Sequence, residues 1–457
     1  MNTIVDAEKI EFLLNDKSVP SSGDVYSVIE KAKKLKGLSL EDVSILINAG
    51  NEGIAFDEIL TAAQEVKETC FGKRIVLFAP LYLTSECINN CLYCGFSKDN
   101  KETARNTLSK DEVIREAGYL EKMGFNRLLL VAGESPKSSS IEKIEETVRA
   151  IYDHTDVRIV HVNAAPMTLE NLKRLKKSGI GVYQVFQETY HEETYQKVHA
   201  SGPKRDYQKR LQALDLAMEA GLDDVGIGAL LGLYDWRFEV MAVVSHATHL
   251  FRKYDAWPHT ISVPRLQPAV GSPILSPPYE VTDRDFKLIC AIYRLAVPTA
   301  GVVVSTREPE ALRDEVLKCG VSQISAGSRT DPGGYSQDDE HYDASQFKTN
   351  DHRSLEEMVE HIAKSGDLPS LCTSCYRVGR TGPVFTDSVS HEEMARYCLP
   401  NSLLTLKEFT LDHANGSRKL CEAVIEKNIS NIEDEKLRKA TVKKLADIEQ
   451  GKRDLFF

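Results

Sequence analysis

Cys87-Ile88-Asn89-Asn90-Cys91-Leu92-Tyr93-Cys94 follows the first of eight short apolar segments and carries three thiols within eight residues. Thiolates are soft ligands, and cysteines this close together suit an iron–sulfur cluster or a zinc ion. A structural zinc site usually takes four ligands from paired C-x-x-C arms. A cubane cluster held by Cys87, Cys91 and Cys94 would instead leave one iron open for chemistry. Zinc and an unrelated redox cluster are the alternatives.

Outward from this stretch, apolar segments alternate with amphipathic helical segments. The segments that we predict as strands are 75–79, 127–131, 158–162, 182–186, 224–228, 260–263, 302–305 and 322–325. Strict alternation predicts a parallel sheet with right-handed crossovers. Eight units over about 250 residues are typical of a (β/α)8 barrel. Periodicity alone also allows an open sheet, but the candidate groups follow strands, as at the carboxyl end of a barrel.

The chain divides into three predicted domains of an α/β fold. Residues 1–73 are predicted as an N-terminal helical region, and residues 74–328 as the (β/α)8 barrel. Residues 329–457 are predicted as a mostly helical C-terminal domain that begins with a polar loop and holds the second set of cysteines. The two terminal aromatic residues, Phe456 and Phe457, predict a tail that packs against the protein.

Composition excludes several classes of protein. The formal net charge is −11 and the pI about 5.7, which does not favour nucleic-acid binding. No apolar run reaches the roughly 20 residues that span a bilayer, and the first residues lack the form of a signal peptide. We therefore expect a cytoplasmic protein. Its ten cysteines are then metal ligands or reduced thiols rather than disulfides.

The first cysteine motif resembles that of the radical S-adenosylmethionine (SAM) superfamily, with Tyr93 in the aromatic position. The resemblance implies a [4Fe-4S] cluster whose open iron chelates SAM, and an electron donor. Reduction of SAM gives a 5′-deoxyadenosyl radical in that superfamily. Ala132-Gly133-Glu134 resembles the superfamily's glycine-rich turn, which implies that Glu134 receives the SAM ammonium. A carboxylate at a helix N-terminus is the other interpretation of Glu134.

Further contacts with SAM are implied at strand ends. Asn163 and Glu188 stand where the superfamily contacts the ribose or the methionine carboxylate. Gly226 stands where a backbone edge meets the adenine. Each of the three is equally compatible with barrel packing or a turn.

A second set of thiols lies near the carboxyl end. Cys372 and Cys375 form a C-x-x-C pair, and Cys398 follows after twenty-two residues. A structural zinc ion with His391 as fourth ligand is one interpretation. The other is an auxiliary iron–sulfur cluster, again with one open iron.

The C-x-x-C-x22-C pattern resembles the HydG family of radical SAM tyrosine lyases, and the resemblance covers nearly the whole chain. Matching segments include Phe186–His191, Pro258–Arg265 and Ile324–Ser328. The resemblance implies cleavage of the Cα–Cβ bond of L-tyrosine to p-cresol and dehydroglycine. It also implies that carbon monoxide and cyanide then form at the auxiliary cluster for assembly of the [FeFe]-hydrogenase cofactor, with an extra iron and a free cysteine bound to that cluster. Hydrogenase maturation proteins are the implied partners.

Two other functions stay open at this point. A ThiH-like 2-iminoacetate synthase of the thiamine pathway shares the barrel but lacks the second set of cysteines. A non-catalytic iron–sulfur carrier would need neither the SAM turn nor a substrate site.

Three residues are candidates for the later steps. His259 matches the family's ligand to the extra iron, and its alternative is a hydrogen-bonded core histidine. Arg307, directly after the seventh strand, is our candidate for the tyrosine carboxylate because a guanidinium matches a carboxylate. Ser325 on the eighth strand would assist. An ion pair of Arg307 with Glu308 or Glu310 is the alternative.

Overall fold

The predicted barrel is confirmed. The computed structural model describes residues 3–16, 18–51, 53, 55–336 and 344–457. Its strands are β1 Arg74–Thr84, β2 Asn90–Cys91, β3 Arg127–Ala132, β4 Ile159–Asn163, β5 Tyr183–Gln184, β6 His199–Ser201, β7 Val225–Gly228, β8 Thr260–Ser262, β9 Gly301–Val304, β10 Gln323–Ser325 and β11 Leu368–Ser370. The barrel runs β1-β3-β4-β5-β7-β8-β9-β10, and β10 pairs with β1 to close it. All neighbouring barrel strands are parallel.

Helices cover the barrel and form both ends of the chain. They are α1 Ala7–Asn15, α2 Ser22–Ala32, α3 Leu40–Asn51, α4 Phe56–Phe71, α5 Lys110–Lys122, α6 Ile141–His154, α7 Leu169–Lys177, α8 Glu192–Val198, α9 Tyr207–Leu211, α10 Ala213–Glu219, α11 Trp236–Tyr254, α12 Asp283–Ala296, α13 Glu310–Val316, α14 Leu355–Lys364, α15 Ser374–Arg377, α16 Gly382–Ser390, α17 Glu393–Asp412, α18 Arg418–Ile429 and α19 Glu435–Glu449. The helical segment that precedes β7 is divided at Gln212 into α9 and α10. No helix within the described ranges has the length and apolarity needed to cross a bilayer.

The N-terminal helices form an outer layer on one side of the barrel. Helix α12 packs against α3 and α4. It is therefore buried both towards the barrel and towards this layer, and ten of its residues are inaccessible. A helix that is covered on both sides needs apolar residues all round, which explains the run Leu288–Tyr293.

Strand β11 was not predicted, and it decides where the second set of cysteines lies. Strand β11 pairs in parallel with Arg74–Val76, the first residues of β1. The later residues of β1, from Ala79 to Thr84, pair with β3. Cys372 follows β11 after one intervening residue. The second set is thereby brought to the amino end of the barrel. The domain boundary at residue 329 stays a prediction.

The C-terminal tail packs against α17, as predicted. The backbone N–H of Phe457 donates to Asn401 Oδ1 at 2.8 Å, and Arg377 forms an ion pair with Asp454. Part of the predicted polar loop, residues 337–343, lies outside the described residues. The part that follows, from residue 344, returns to the carboxyl end of the barrel.

Candidate active site

A cavity of about 230 Å³ opens at the carboxyl end of the barrel. Nearly all of the residues predicted for SAM and substrate line it. They are Cys87, Cys91, Cys94, Tyr93, Glu134, Asn163, Glu188, Arg307 and Ser325. Gly226 is absent from the lining. A Cβ at Gly226 would lie 2.6 Å from Thr260 Oγ1 and 2.7 Å from Gln184 Cγ, so the structure explains this glycine by close packing inside the barrel. Its contact with adenine stays a prediction.

The loop with the first three cysteines is held in place by the neighbouring turn. Asn89 Nδ2 lies 3.7 Å from Cys87 Sγ and donates to Glu134 Oε2 at 2.6 Å. A Cβ at Gly133 would lie 2.4 Å from the carbonyl oxygen of Glu86. Only glycine therefore allows the turn to approach the cysteine loop this closely.

The far side of the loop forms a short two-stranded antiparallel sheet with a distant part of the chain. Cys91 in β2 pairs with His199 in β6, and Tyr93 Oη forms a hydrogen bond with His199 Nε2 at 2.8 Å. Burial raises the pKa of the Cys91 thiol to about 12 and also raises that of Cys94. Metal binding at Cys91 and Cys94 must therefore displace their protons.

The donor set fits an iron–sulfur cluster. All three cysteines are free, and they line one cavity beside the glycine turn. Within the described residues, no three His, Cys, Asp or Glu side chains are grouped around one point that could hold a single ion. A cluster does not require such a group, because each thiolate binds a different iron.

Two basic residues that the sequence analysis missed accompany Glu188. Lys204 Nζ lies 2.6 Å from Glu188 Oε1, and Arg210 Nη2 lies 3.8 Å from it. Burial alone would raise the pKa of Glu188, but the two cations hold it below its ordinary value. Glu188, Lys204 and Arg210 together therefore carry one net positive charge in the cavity. Lys204 lies in a short 3₁₀ turn without periodicity, so no sequence pattern indicated it.

Arg307 lies inside the cavity rather than on the surface. Its guanidinium carbon is 3.3 Å from the centroid of the Phe347 ring. In the described part of the chain no carboxylate pairs with it: Glu308 pairs with Arg265 at 2.5 Å, and Glu310 approaches Arg353 at 3.9 Å. The ion pairs considered as an alternative are therefore not formed.

Ser325 and the returning loop complete this cavity. Ser325 Oγ is buried and has no hydrogen-bond partner among the described residues, which is uncommon for a buried hydroxyl. Gln346 accepts a hydrogen bond from Tyr82 Oη at 2.8 Å, and its Nε2 lies 3.7 Å from Cys94 Sγ. The loop thus contacts Cys94 and lines the cavity beside it.

A second, smaller cavity of about 40 Å³ lies at the amino end of the barrel. Cys372, Cys375 and Cys398 line it together with His259, which directly precedes β8. His391 does not line it: its side chain is 67% exposed and lies 3.2 Å from Asp387. The structure thus does not bring His391 to the cysteines as a zinc ligand.

His259 is buried between two polar partners. Its Nε2 forms a hydrogen bond with Tyr376 Oη at 2.8 Å. Its Nδ1 lies 3.2 Å from Asp224 Oδ2 without the alignment of a hydrogen bond, and neither atom has another partner within the described residues. A histidine paired with a carboxylate on one nitrogen is the usual arrangement of a metal ligand.

Three arginines around the second cavity were also missed. Arg74, Arg127 and Arg380 all line it. Arg74 and Arg127 are the first residues of β1 and β3, so a charged residue at the start of an otherwise apolar strand was the available signal. Arg127 also donates to the carbonyl oxygen of Cys372.

Comparisons with known proteins agree with this geometry. The sequence matches the radical SAM superfamily over residues 81–242, and the biotin and thiamin synthesis associated domain over residues 262–367. It is 32% identical to the 2-iminoacetate synthase of Escherichia coli K12 over 350 residues, which cover 76% of this chain and 90% of that protein.

Two solved structures are similar over almost the whole chain. The crystal structure of HydG, a maturase of the [FeFe]-hydrogenase, shares 44% identity at a TM-score of 0.94, covering 99% of this chain and 100% of that one. HydG from Carboxydothermus hydrogenoformans shares 39% identity at a TM-score of 0.82, covering 96% and 97% of the two chains. The chain therefore belongs to the radical SAM superfamily and, within it, to the family that includes HydG and 2-iminoacetate synthase.

Proposed function

We propose that this protein is a radical SAM tyrosine lyase that makes carbon monoxide and cyanide for [FeFe]-hydrogenase assembly. The observation that carries the proposal is the pair of cysteine triads at opposite ends of one barrel. A 2-iminoacetate synthase of the ThiH type needs only the first triad. A carrier of iron–sulfur clusters would not need the enclosed cavity with Arg307 and Ser325.

At the carboxyl end, Cys87, Cys91 and Cys94 would hold a [4Fe-4S] cluster. Given an electron donor, this cluster would supply the electron that cleaves bound SAM, and the SAM-derived radical would abstract hydrogen from the substrate. The surplus positive charge of Lys204 and Arg210 beside Glu188 suits the carboxylate of SAM. Glu134, which faces the same cavity, suits its ammonium group.

Tyrosine would bind beside SAM in the same cavity. Arg307 has no carboxylate partner among the described residues, so its fork can receive the substrate carboxylate. Ser325 Oγ offers the unused hydrogen-bonding group next to it. The loop around Gln346 and Phe347 would exclude water, as radical chemistry requires.

At the amino end, Cys372, Cys375 and Cys398 would hold the auxiliary cluster. His259 suits the extra iron through Nε2, with Asp224 near Nδ1 to fix the ring. Tyr376 would have to release Nε2 for this. A free cysteine as a further ligand rests on the family resemblance alone.

An anaerobic assay tests the division of labour. The protein is reconstituted with iron and sulfide, supplied with reductant, SAM and tyrosine, and assayed for p-cresol, carbon monoxide and cyanide. The variants are Cys87→Ser, the pair Cys372→Ser/Cys375→Ser, and Cys421→Ser as a control. Cys421 is a buried cysteine that lines neither cavity.

We expect Cys87→Ser to abolish all products. The double variant should keep p-cresol and lose carbon monoxide, and the control should resemble the wild type. Wild-type p-cresol without carbon monoxide would favour 2-iminoacetate synthesis. Absence of SAM cleavage despite full iron loading would refute a lyase of either kind.

A further inference from the structure

The cavity at the carboxyl end of the barrel is lined by three buried polar atoms that have no hydrogen-bond partner within the described ranges. They are Gln184 Oε1, Ser325 Oγ and Ser328 Oγ. Ser325 is assigned to the substrate carboxylate, whereas the other two residues have no role in the proposed function. Most buried polar groups in folded proteins are paired, so an unpaired hydroxyl in the lining of a binding cavity indicates a contact with a ligand.

Ser328 belongs to the side of the cavity that carries the candidate substrate residues. Its side chain is only 8% exposed, and it follows β10 after two intervening residues. Strand β10 lies between β1 and β9, the strand that precedes Arg307. Gln184 lies in β5 and Glu188 follows it, and three strands separate β5 from β10 in either direction around the barrel. Ser328 is therefore placed for the substrate rather than for SAM.

The wall beside Ser328 is apolar. Strand β1 presents the alternate residues Phe78, Pro80 and Tyr82 to the cavity. The hydroxyl of Tyr335 ties the chain around Ser328 to this wall. It accepts a hydrogen bond from the backbone N–H of the residue after Ser328 at 3.1 Å and donates to the carbonyl oxygen of Pro80 at 2.6 Å. The unpaired hydroxyl of Ser328 is thus an uncharged polar group next to a largely apolar surface.

The spacing of the two serines suits one substrate molecule. Three residues of chain span at most roughly 11 Å. The distance between Ser325 and Ser328 is shorter than this, because the chain turns at Gly327, where φ is +53°. A tyrosine carries its carboxylate and its phenolic oxygen within that length, so each serine can contact one end of the same molecule.

We propose that Ser328 Oγ binds the phenolic hydroxyl of tyrosine and makes the enzyme prefer tyrosine to phenylalanine. The inference rests on the proposed function, in which Arg307 and Ser325 hold the carboxylate of the same substrate. A phenol combines an apolar ring with one neutral polar group, which matches the β1 wall and a single hydroxyl. The substrate ammonium would instead favour a charged acceptor, which Ser328 does not offer. Phenylalanine is selected against because it would leave the buried hydroxyl without a partner.

Binding of tyrosine and phenylalanine without turnover tests this assignment. Each amino acid is titrated calorimetrically into anaerobically reconstituted protein that is saturated with SAM and lacks reductant. The variants are Ser328→Ala, which removes the hydroxyl, and Ser328→Thr, which keeps one. Ser44→Ala is the matched control, because Ser44 is a buried serine of α3 that lines neither cavity.

We expect Ser328→Ala to bind tyrosine about fivefold more weakly than the wild type does, without weaker binding of phenylalanine. Ser328→Thr and the control should keep the preference for tyrosine, and all variants should keep their iron content and SAM affinity. Equal weakening of both amino acids by Ser328→Ala would overturn the assignment, because the serine would then serve a group that both share or support the fold. An unchanged preference for tyrosine in Ser328→Ala, or a loss of SAM affinity, would overturn it as well.

Formation of p-cresol by the wild type separates this inference from the proposed function. A wild type that prefers tyrosine as expected but forms no p-cresol would contradict the proposed function and leave the phenol contact standing. A wild type that forms p-cresol but binds tyrosine and phenylalanine equally well would contradict the phenol contact and leave the proposed function standing. A wild type that binds neither amino acid would overturn both.

Discussion

Replacing Arg307 by glutamine tests the substrate site most directly. The guanidinium lines the cavity, stacks on Phe347, and has no carboxylate partner among the described residues. Its removal would leave the tyrosine carboxylate in the cavity without a cation. Hydrogen bonds to charged groups contribute about 1.5–3 kcal/mol, which corresponds to roughly 10- to 150-fold in KM for tyrosine. Arg307→Lys keeps the charge but loses the fork, so its effect should be intermediate.

The assay is p-cresol formation over a range of tyrosine concentrations, with SAM saturating. Slow SAM cleavage without tyrosine and the iron content should be unchanged, since Arg307 is not assigned to the cluster or to SAM. A tyrosine KM within twofold of the wild type would refute the assignment of Arg307. Loss of SAM cleavage without tyrosine would place Arg307 at the SAM site instead.

Three further predictions concern other parts of the fold. Lys204→Met should weaken SAM binding roughly tenfold, because it removes the surplus positive charge beside Glu188. Equilibrium dialysis measures the affinity, and an unchanged affinity would refute a role of Lys204 in SAM binding. Gly133→Ala should reduce the amount of iron bound at Cys87, Cys91 and Cys94, because the new Cβ would lie 2.4 Å from a carbonyl oxygen. Gly118→Ala in α5 is the control: its Cβ would have no atom within 4 Å, so this variant should bind iron like the wild type. Burial raises the pKa of Glu239 to about 7. Between about pH 4.5 and 7 the folded protein therefore keeps a proton on this carboxyl group that the unfolded chain has lost. The free energy of unfolding should accordingly fall as the pH rises through this range. Glu239→Gln should flatten that slope in denaturant titrations, and an unchanged slope would contradict the raised pKa.

Much of the fold was predictable because its determinants are local. The eight barrel strands each combine a short apolar run with a following amphipathic helix, and all eight lie where predicted to within a few residues. Strand β11 was missed because a strand of three residues that contains Pro369 has no periodicity. It exists because the first residues of β1 extend below the barrel and offer unpaired backbone groups.

The candidate site was predictable to the extent that the residue type itself carries the chemistry. Cysteine triads, an acidic residue after a glycine turn, and an arginine after a strand were identified, and the structure places them around two cavities. Lys204, Arg127 and Arg380 were not identified. A lysine or arginine is common on any surface, and only its burial beside a particular partner distinguishes it.

The sequence by itself determined the parallel barrel and the two sets of closely spaced cysteines, because strand periodicity and cysteine spacing are read within short stretches of chain. Only the tertiary structure decided that the two sets lie at opposite ends of the barrel, since that depends on the pairing of β11 with β1 across almost three hundred residues. The tertiary structure also decided which charges remain unpaired. Glu188 is balanced by Lys204, whereas Arg307, Arg127 and Arg380 retain groups that a ligand can use, because pairing of charges is settled by distance in space and not by order in the chain.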